Sequence, residues 1–117
     1  MNAATQASQA TPQPTRLRLY LAGPMTGLPG FNYAAFNAEA TRLRALGYHV
    51  ENPAENVHPI DQDWGGYMRV ALAQMLTCEA VALLPNWQAS RGALLENDIA
   101  TQLGMPVCDA AFINEFV

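Results

Sequence analysis

Four short apolar runs alternate with three segments of helical periodicity, and this alternation constrains the fold of the chain more than any other feature. The apolar runs are 17–22, 48–50, 80–84 and 106–108, and the helical segments are 33–46, one that begins at 63, and 90–103. Strands that alternate with helices build a parallel sheet with right-handed crossovers. We therefore expect an α/β fold: one flavodoxin- or Rossmann-like three-layer domain, with a short parallel sheet of strand order 2-1-3-4 and helices on both faces.

Polar residues and glycines mark the predicted helix ends. Asn32, Asp63 and Ser90 each precede a helical segment and are predicted N-caps, because such side chains accept hydrogen bonds from the first turn. Gly47 and Gly104 follow helical segments and are predicted to end them.

The first fifteen residues differ in composition from the rest of the chain. Residues 1–15 contain no charge and no apolar run, which is typical of a disordered leader, and one folded domain is expected over 16–117. The leader lacks the basic and apolar regions of a secretory signal, so we expect a cytoplasmic protein. No apolar run reaches the roughly 20 residues that span a bilayer, so we expect no membrane as a partner.

The charge balance excludes several classes of function. The net charge is −4 at pH 7, and the six basic residues are arginines too scattered to form a patch for a nucleic acid polymer. The absence of lysine excludes a P-loop and a Schiff-base mechanism. Cys78, Cys108, His49 and His58 lack metal-ligand spacing, so we expect no metal site, and both thiols are expected to be buried and free.

Two loops are expected to face each other across one crevice. In strand order 2-1-3-4 the topological switch point lies between the first and third strands, and ligands bind there at the carboxyl ends. The stretch 20–27 follows the first strand, and the stretch 90–96 opens the helix after the third strand. Both stretches therefore indicate a ligand site at this edge of the sheet.

The start of the third helical segment is a candidate anion site. Ser90 offers a hydroxyl, and Gly92 lets a ligand approach the backbone. The unpaired N–H groups and the positive dipole end of a helix start suit an anion such as a phosphate. The alternative is that Ser90 serves only as an N-cap.

Glu96 is the candidate reactive group. It lies four residues after Gly92 and four before Ala100, so the three share a helix face with space beside the carboxylate. A carboxylate in such a place can be a nucleophile towards a sugar anomeric carbon. The alternative is a surface glutamate on an amphipathic helix. Asp98 lies about 200° around the helix and is expected to face solvent.

The loop after the first strand offers candidate contacts to a sugar. Tyr20 or Thr26 is a candidate to hydrogen-bond a sugar hydroxyl, and Gly23 and Gly27 free the backbone to curl around a ligand. The alternative for Tyr20 is a place in the hydrophobic core.

The loops after the other strands offer further candidates. Asn86 and Trp87, after the third strand, are candidates to orient and stack a base. Asn52, Pro53 and Glu55, after the second strand, are candidates for an additional wall of the crevice.

Three motifs, taken together, resemble a known family. They are the Tyr-Leu-Ala-Gly-Pro-Met strand end at 20–25, the Asn-Pro at 52–53, and the run Leu-Leu-Pro-Asn-Trp-Gln-Ala-Ser-Arg-Gly-Ala-Leu-Leu-Glu at 83–96. They resemble the DUF4406 family, which is similar to the nucleoside 2-deoxyribosyltransferases and the 2'-deoxynucleoside 5'-monophosphate N-glycosidases. The resemblance covers roughly 17–107, so the domain expected over 16–117 is nucleoside 2-deoxyribosyltransferase-like.

The resemblance implies cleavage or exchange of the N-glycosidic bond of a 2'-deoxynucleoside or its 5'-monophosphate. Glu96 would form a covalent deoxyribosyl intermediate, which water or a second base resolves, so no metal or organic cofactor is needed. Such relatives work as homodimers or larger homo-oligomers, with a site partly completed by a neighbouring subunit. The expected catalytic residues are Glu96 and Tyr20, and the expected substrate-binding residues are Gly23, Pro24, Met25, Thr26, Asn86, Trp87, Ser90 and Gly92.

The chain departs from the family pattern at two acidic positions. Relatives usually carry an Asp on the helix before the third strand, where this chain has Ala71, and Glu79 stands where an Asp is usual. The loss of a carboxylate partner would change how Glu96 ionises. A second hypothesis is therefore a catalytically impaired nucleotide- or nucleoside-binding module.

Overall fold

Four parallel strands form one sheet in the order 2-1-3-4, which confirms the predicted α/β fold class. The computed structural model describes residues 17–115, so the predicted leader and the ends of the predicted domain lie outside the described residues. In chain order the elements are β1 (Arg18–Ala22), α1 (Tyr33–Ala45), β2 (His49–Glu51), α2 (Trp64–Met75), β3 (Ala80–Leu83), α3 (Arg91–Gln102) and β4 (Val107–Asp109).

The two central strands, β1 and β3, are almost completely buried, because helices cover both faces of the sheet. Successive side chains of β1 point to opposite faces. Leu19 and Leu21 pack with the core residues of α1, whereas Tyr20 packs with Met75 of α2 and Ala100 of α3. This alternation places Tyr20 on the face of the sheet that α2 and α3 cover.

Two predicted N-caps are confirmed, and both precede helices that line the same face. The Asp63 Oδ1 accepts a hydrogen bond from the Gly66 N–H at 2.6 Å at the start of α2. The Ser90 Oγ accepts one from the Ala93 N–H at 3.1 Å at the start of α3. The side-chain caps fix where α2 and α3 begin, and therefore which residues their first turns present to the sheet.

Asn32 occupies the predicted N-cap position of α1, but its side chain does not cap the helix. Asn32 has a left-handed backbone, with a φ of 60°, and its side chain makes no cap hydrogen bond. Its Nδ2 instead donates to the Pro24 carbonyl oxygen at 3.0 Å. The side chain is engaged by this contact, which ties the loop after β1 to the start of α1.

The edge strand β4 explains a second departure from expectation. Cys78 is buried, as predicted, but Cys108 is exposed, because β4 is an outermost strand and pairs only with β3. Both thiols are free.

Within residues 17–115, no helix has the length and apolar character needed to cross a membrane.

Candidate active site

A cavity of about 430 Å³ lies beside the carboxyl end of β1, between the first turns of α2 and α3. The loop 56–63 and the start of α1 contribute the remaining walls. The cavity brings together seven of the predicted site residues: Tyr20, Gly23, Met25, Thr26, Ser90, Gly92 and Glu96. The two loops predicted to face each other therefore do share one cavity, because the predicted strand order is correct.

Glu96 and Tyr20 form a buried pair on the cavity wall. Only 5% of Glu96 and 1% of Tyr20 is exposed, so Glu96 is not a surface residue of an amphipathic helix. The Tyr20 hydroxyl donates a hydrogen bond to the Glu96 Oε2 at 2.5 Å, across 76 residues of sequence. No residue among 17–115 donates to the Glu96 Oε1. Within the described residues, one carboxylate oxygen is therefore held by Tyr20 and the other accepts no hydrogen bond.

Burial and hydrogen bonding act in opposite directions on the Glu96 carboxyl. Burial raises its pKa to about 7, although the hydrogen bond from Tyr20 lowers it. Burial, and then the charge of Glu96, raises the pKa of the Tyr20 hydroxyl well above its ordinary value. Tyr20 therefore remains a hydrogen-bond donor at neutral pH, while the carboxyl of Glu96 exchanges a proton there.

The first turn of α3 combines a cap with a close helix contact. Ser90 lines the cavity, and its hydroxyl caps α3, so the predicted N-cap is confirmed. A Cβ at Gly92 would lie 3.0 Å from the Met68 Sδ, so this glycine lets α2 and α3 pack closely as well as leaving backbone open to the cavity. The remaining N–H groups of a first turn suit an anionic ligand.

Three predicted substrate-binding residues lie outside this cavity. Pro24 is buried and uses its carbonyl oxygen to accept the hydrogen bond from Asn32. Asn86 has a left-handed φ of 68° in the turn after β3, and Trp87 packs against the core cluster that contains Tyr20. The sequence order that places Asn86 and Trp87 before α3 therefore does not bring them to the cavity wall.

Of the three residues predicted to wall the crevice, one lines it. Pro53 contributes to the cavity wall. Asn52 is buried, where its Nδ2 donates to the Asn37 side chain and its Oδ1 accepts from the Ala54 N–H. Glu55 instead forms an ion pair with Arg44 at 2.8 Å.

An aromatic wall was missed by sequence reasoning. Trp64 and Tyr67 of α2, His58 of the preceding loop, and Phe31 and Tyr33 at the start of α1 all line the cavity. The signal was present, since positions 64, 67, 68 and 71 fall on one face of a helix that begins after Asp63.

Arg91 and Ala71 also bear on the site. The Arg91 guanidinium lies 3.6 Å from the centroid of the Trp64 ring, a cation–π contact that joins the first turns of α2 and α3. Ala71 lines the cavity, so this position belongs to the site. No group of three or more metal-ligating side chains converges within residues 17–115.

The structure is that of a small parallel α/β domain with one buried carboxylate, Glu96 of α3, hydrogen-bonded to the first strand beside the cavity. A family model described as a domain of unknown function, DUF4406, matches residues 17–109, and the chain belongs to this family. No curated protein matches the chain.

Proposed function

We propose that this chain cleaves or exchanges the N-glycosidic bond of a 2'-deoxynucleoside or its 5'-monophosphate. The observation that carries the proposal is the Glu96 carboxylate, buried on the cavity wall with one oxygen held by Tyr20. The Glu96 Oε1 attacks C1' of the sugar, the C1'–N bond breaks, and its electron pair leaves with the base. Attack on the resulting ester by water gives hydrolysis, and attack by a second base gives transfer.

The Tyr20 hydroxyl positions the nucleophile in this scheme. It donates to the Glu96 Oε2 before the reaction, and the same oxygen is the carbonyl oxygen of the ester intermediate. Its hydrogen bond keeps the carboxylate in one orientation, which favours attack from a single direction. Its own proton stays in place, because its pKa is raised well above the ordinary range of a tyrosine.

Separate walls of the cavity suit the three parts of such a substrate. Gly23, Met25 and Thr26 flank the sugar, and Ser90 and Gly92 at the start of α3 take a 5'-hydroxyl or 5'-phosphate. The aromatic wall takes the base, because a nucleobase stacks on indole and phenol rings. The volume of about 430 Å³ lies in the range of cavities that hold such ligands.

A second copy of the chain is proposed as the partner, in a homodimer or larger homo-oligomer in the cytoplasm. Phe31 and Val57 line the cavity, yet 58% and 88% of their surfaces are exposed, and neighbouring Ile60 is fully exposed. Exposed apolar side chains grouped at a cavity indicate an interaction surface, because a second subunit that covers them removes their apolar surface from water.

A catalytically impaired nucleotide- or nucleoside-binding module is the second candidate, and Ala71 favours it. This residue lines the cavity with a methyl group where relatives usually offer a carboxylate. Such a module keeps ligand binding and lacks turnover, so ligand would raise the melting temperature without releasing base.

Base release tests the two candidates directly. A panel of 2'-deoxynucleosides and their 5'-monophosphates is incubated with the chain, with and without an acceptor base, and free base is measured by chromatography. The proposal expects release that Glu96→Ala abolishes and that Asp98→Ala, an exposed acid on the same helix, leaves intact. Ligand-induced stabilisation without release from any substrate would favour the binding module, with Ala71→Asp the next variant to assay.

A further inference from the structure

A leaving nucleobase needs a proton, and the cavity offers few groups able to give one. The titratable side chains that line it, within the described residues, are Tyr20, Tyr33, His58, Asp63, Tyr67 and Glu96. Glu96 must be ionised to attack, and the Tyr20 hydroxyl is committed to the Glu96 Oε2. Ala71 has no proton to give. The remaining candidates lie on the loop 56–63 and on the first turns of α1 and α2.

His58 is the group among these best suited to donate a proton. Imidazole is the side chain most often used in general acid–base catalysis, whereas the phenol of a tyrosine is a far weaker acid. The Asp63 carboxylate is used as an acceptor, because its Oδ1 holds the Gly66 N–H at 2.6 Å. His58 is exposed on its loop and lines the cavity, so substrate can reach its ring.

Tyr67 fixes the orientation of the His58 ring. The His58 Nδ1 and the Tyr67 hydroxyl lie 2.8 Å apart, and the two rings meet edge to face with centroids 5.8 Å apart. This hydrogen bond occupies Nδ1, so Nε2 is the ring nitrogen left for a ligand. In the protonated ring, Nδ1–H donates to the Tyr67 oxygen and Nε2 carries the second proton, whose loss leaves a neutral imidazole.

The loop that carries His58 is itself anchored to α2. Gly66 lies against the Asp61 carbonyl oxygen so closely that no side chain fits at this position. Asp61 also pairs with Arg69 on the next turn of the helix at 3.5 Å. Together with the cap by Asp63, these contacts hold the end of the loop against the first turns of α2, beside the cavity.

We propose that His58, oriented by Tyr67, is the proton donor to the leaving base. This inference rests on the proposed function. As the C1'–N bond breaks and the C1'–Oε1 bond to Glu96 forms, the electron pair on the departing ring nitrogen takes the Nε2 proton of the protonated His58 ring, which becomes a neutral imidazole. The base leaves neutral, and His58 recovers a proton from the water or second base that later attacks C1'.

The dependence on leaving group tests this role. The substrates are 5'-phosphorylated 2'-deoxyribosides that carry either a natural purine or N7-methylguanine, which leaves without needing a proton because the methyl group already supplies the positive charge. For His58→Gln we expect release of the natural purine to fall about 10²-fold. Release of N7-methylguanine is expected to stay near the wild-type rate, which also shows that the variant is folded.

Two further variants complete the test. Tyr67→Phe is expected to show the same selective loss in weaker form, because the ring keeps its edge contact and loses its hydrogen bond. His49→Gln is the matched control, since this histidine lies on β2 among Arg18 and Glu51 and does not line the cavity.

The outcomes separate this inference from the function on which it rests. Equal losses on both leaving groups in His58→Gln, or no loss on either, would overturn the role of His58 while base release still supports the proposed function. Release from neither substrate by the wild-type chain would contradict the proposed function, and this inference with it.

Discussion

At the scale of single residues, the ionisation of Glu96 sets the pH dependence of the proposed reaction. Only the carboxylate attacks C1', and burial raises the pKa of Glu96 to about 7, so release of N7-methylguanine, which needs no proton from His58, is expected to rise with pH through about 7. In Tyr20→Phe this rise in rate is expected to move to higher pH, because the hydrogen bond that lowers the pKa of Glu96 is lost. Initial rates measured across pH check both statements. A rise in rate at the same pH in the wild type and in Tyr20→Phe would contradict the role given to Tyr20.

The same pKa makes the free energy of unfolding depend on pH. The folded pKa of about 7 lies above the ordinary 4.5, so the folded state binds a proton more readily than the unfolded state. The stabilisation this provides is complete below about pH 4.5 and is lost as pH rises through about 7. Above that pH, the free energy of unfolding of Glu96→Gln is expected to exceed that of the wild type by up to about 3 kcal/mol.

Urea denaturation at a series of pH values measures this difference. The gap between Glu96→Gln and the wild type is expected to be small in acid and to grow between about pH 4.5 and 7. Asp98→Asn is the control, because this acid is exposed on the same helix. A gap that is constant over the range would contradict the burial of the charge.

At the scale of elements, two adjacent glycines of α2 are expected to respond in opposite ways to alanine. A Cβ at Gly66 collides with the Asp61 carbonyl oxygen, whereas one at Gly65 makes only ordinary contacts, with the Arg69 Nη1 at 3.5 Å and the Asp63 Oδ1 at 3.8 Å. Gly66→Ala is expected to destabilise the protein by about 2 kcal/mol and to displace the loop 56–63. Gly65→Ala is expected to stabilise it by up to about 1 kcal/mol through helix propensity. Chemical denaturation of both variants checks the pair, and similar changes would contradict the contact.

The sequence predicts those features of the elements that depend on neighbouring residues. The caps by Asp63 and Ser90 are local, since each side chain reaches an N–H three residues ahead, and both are confirmed. Asn32 could not be placed the same way, because its partner is the Pro24 carbonyl oxygen on the preceding loop. Likewise, nothing in the spacing of Gly66 reveals that the Asp61 backbone lies against it.

At the scale of the whole molecule, strand order was predictable and the detailed lining of the cavity was not. Alternating elements and right-handed crossovers allow few topologies, so the loops after β1 and β3 were expected to meet. Their meeting brings Tyr20 to Glu96, but the hydrogen bond between them depends on side-chain packing across the sheet. The loop 56–63 carries His58 to the cavity without a periodic pattern, so no sequence signal placed it there.

The proposed assembly gives a prediction at the same scale. Ile60→Asp places a charge on the fully exposed apolar residue beside the cavity mouth, and we expect it to weaken self-association and base release together. Light scattering across protein concentrations measures the first, and free base measures the second. Leu103→Asp, at an exposed apolar residue beyond the end of α3, is the matched control. A wild-type chain that is monomeric and active would contradict the assembly.

The central claim, that Glu96 carries a covalent sugar intermediate, is tested most directly by the mass of the intact protein. The chain is quenched in acid during reaction with a 2'-fluoro arabinosyl analogue of its best substrate, since the fluorine slows release of the ester. We expect an added mass equal to the sugar portion without its base, located by peptide fragmentation on Glu96 and absent from Glu96→Gln. Base release with no added mass on Glu96, or the same added mass in Glu96→Gln, would contradict the account.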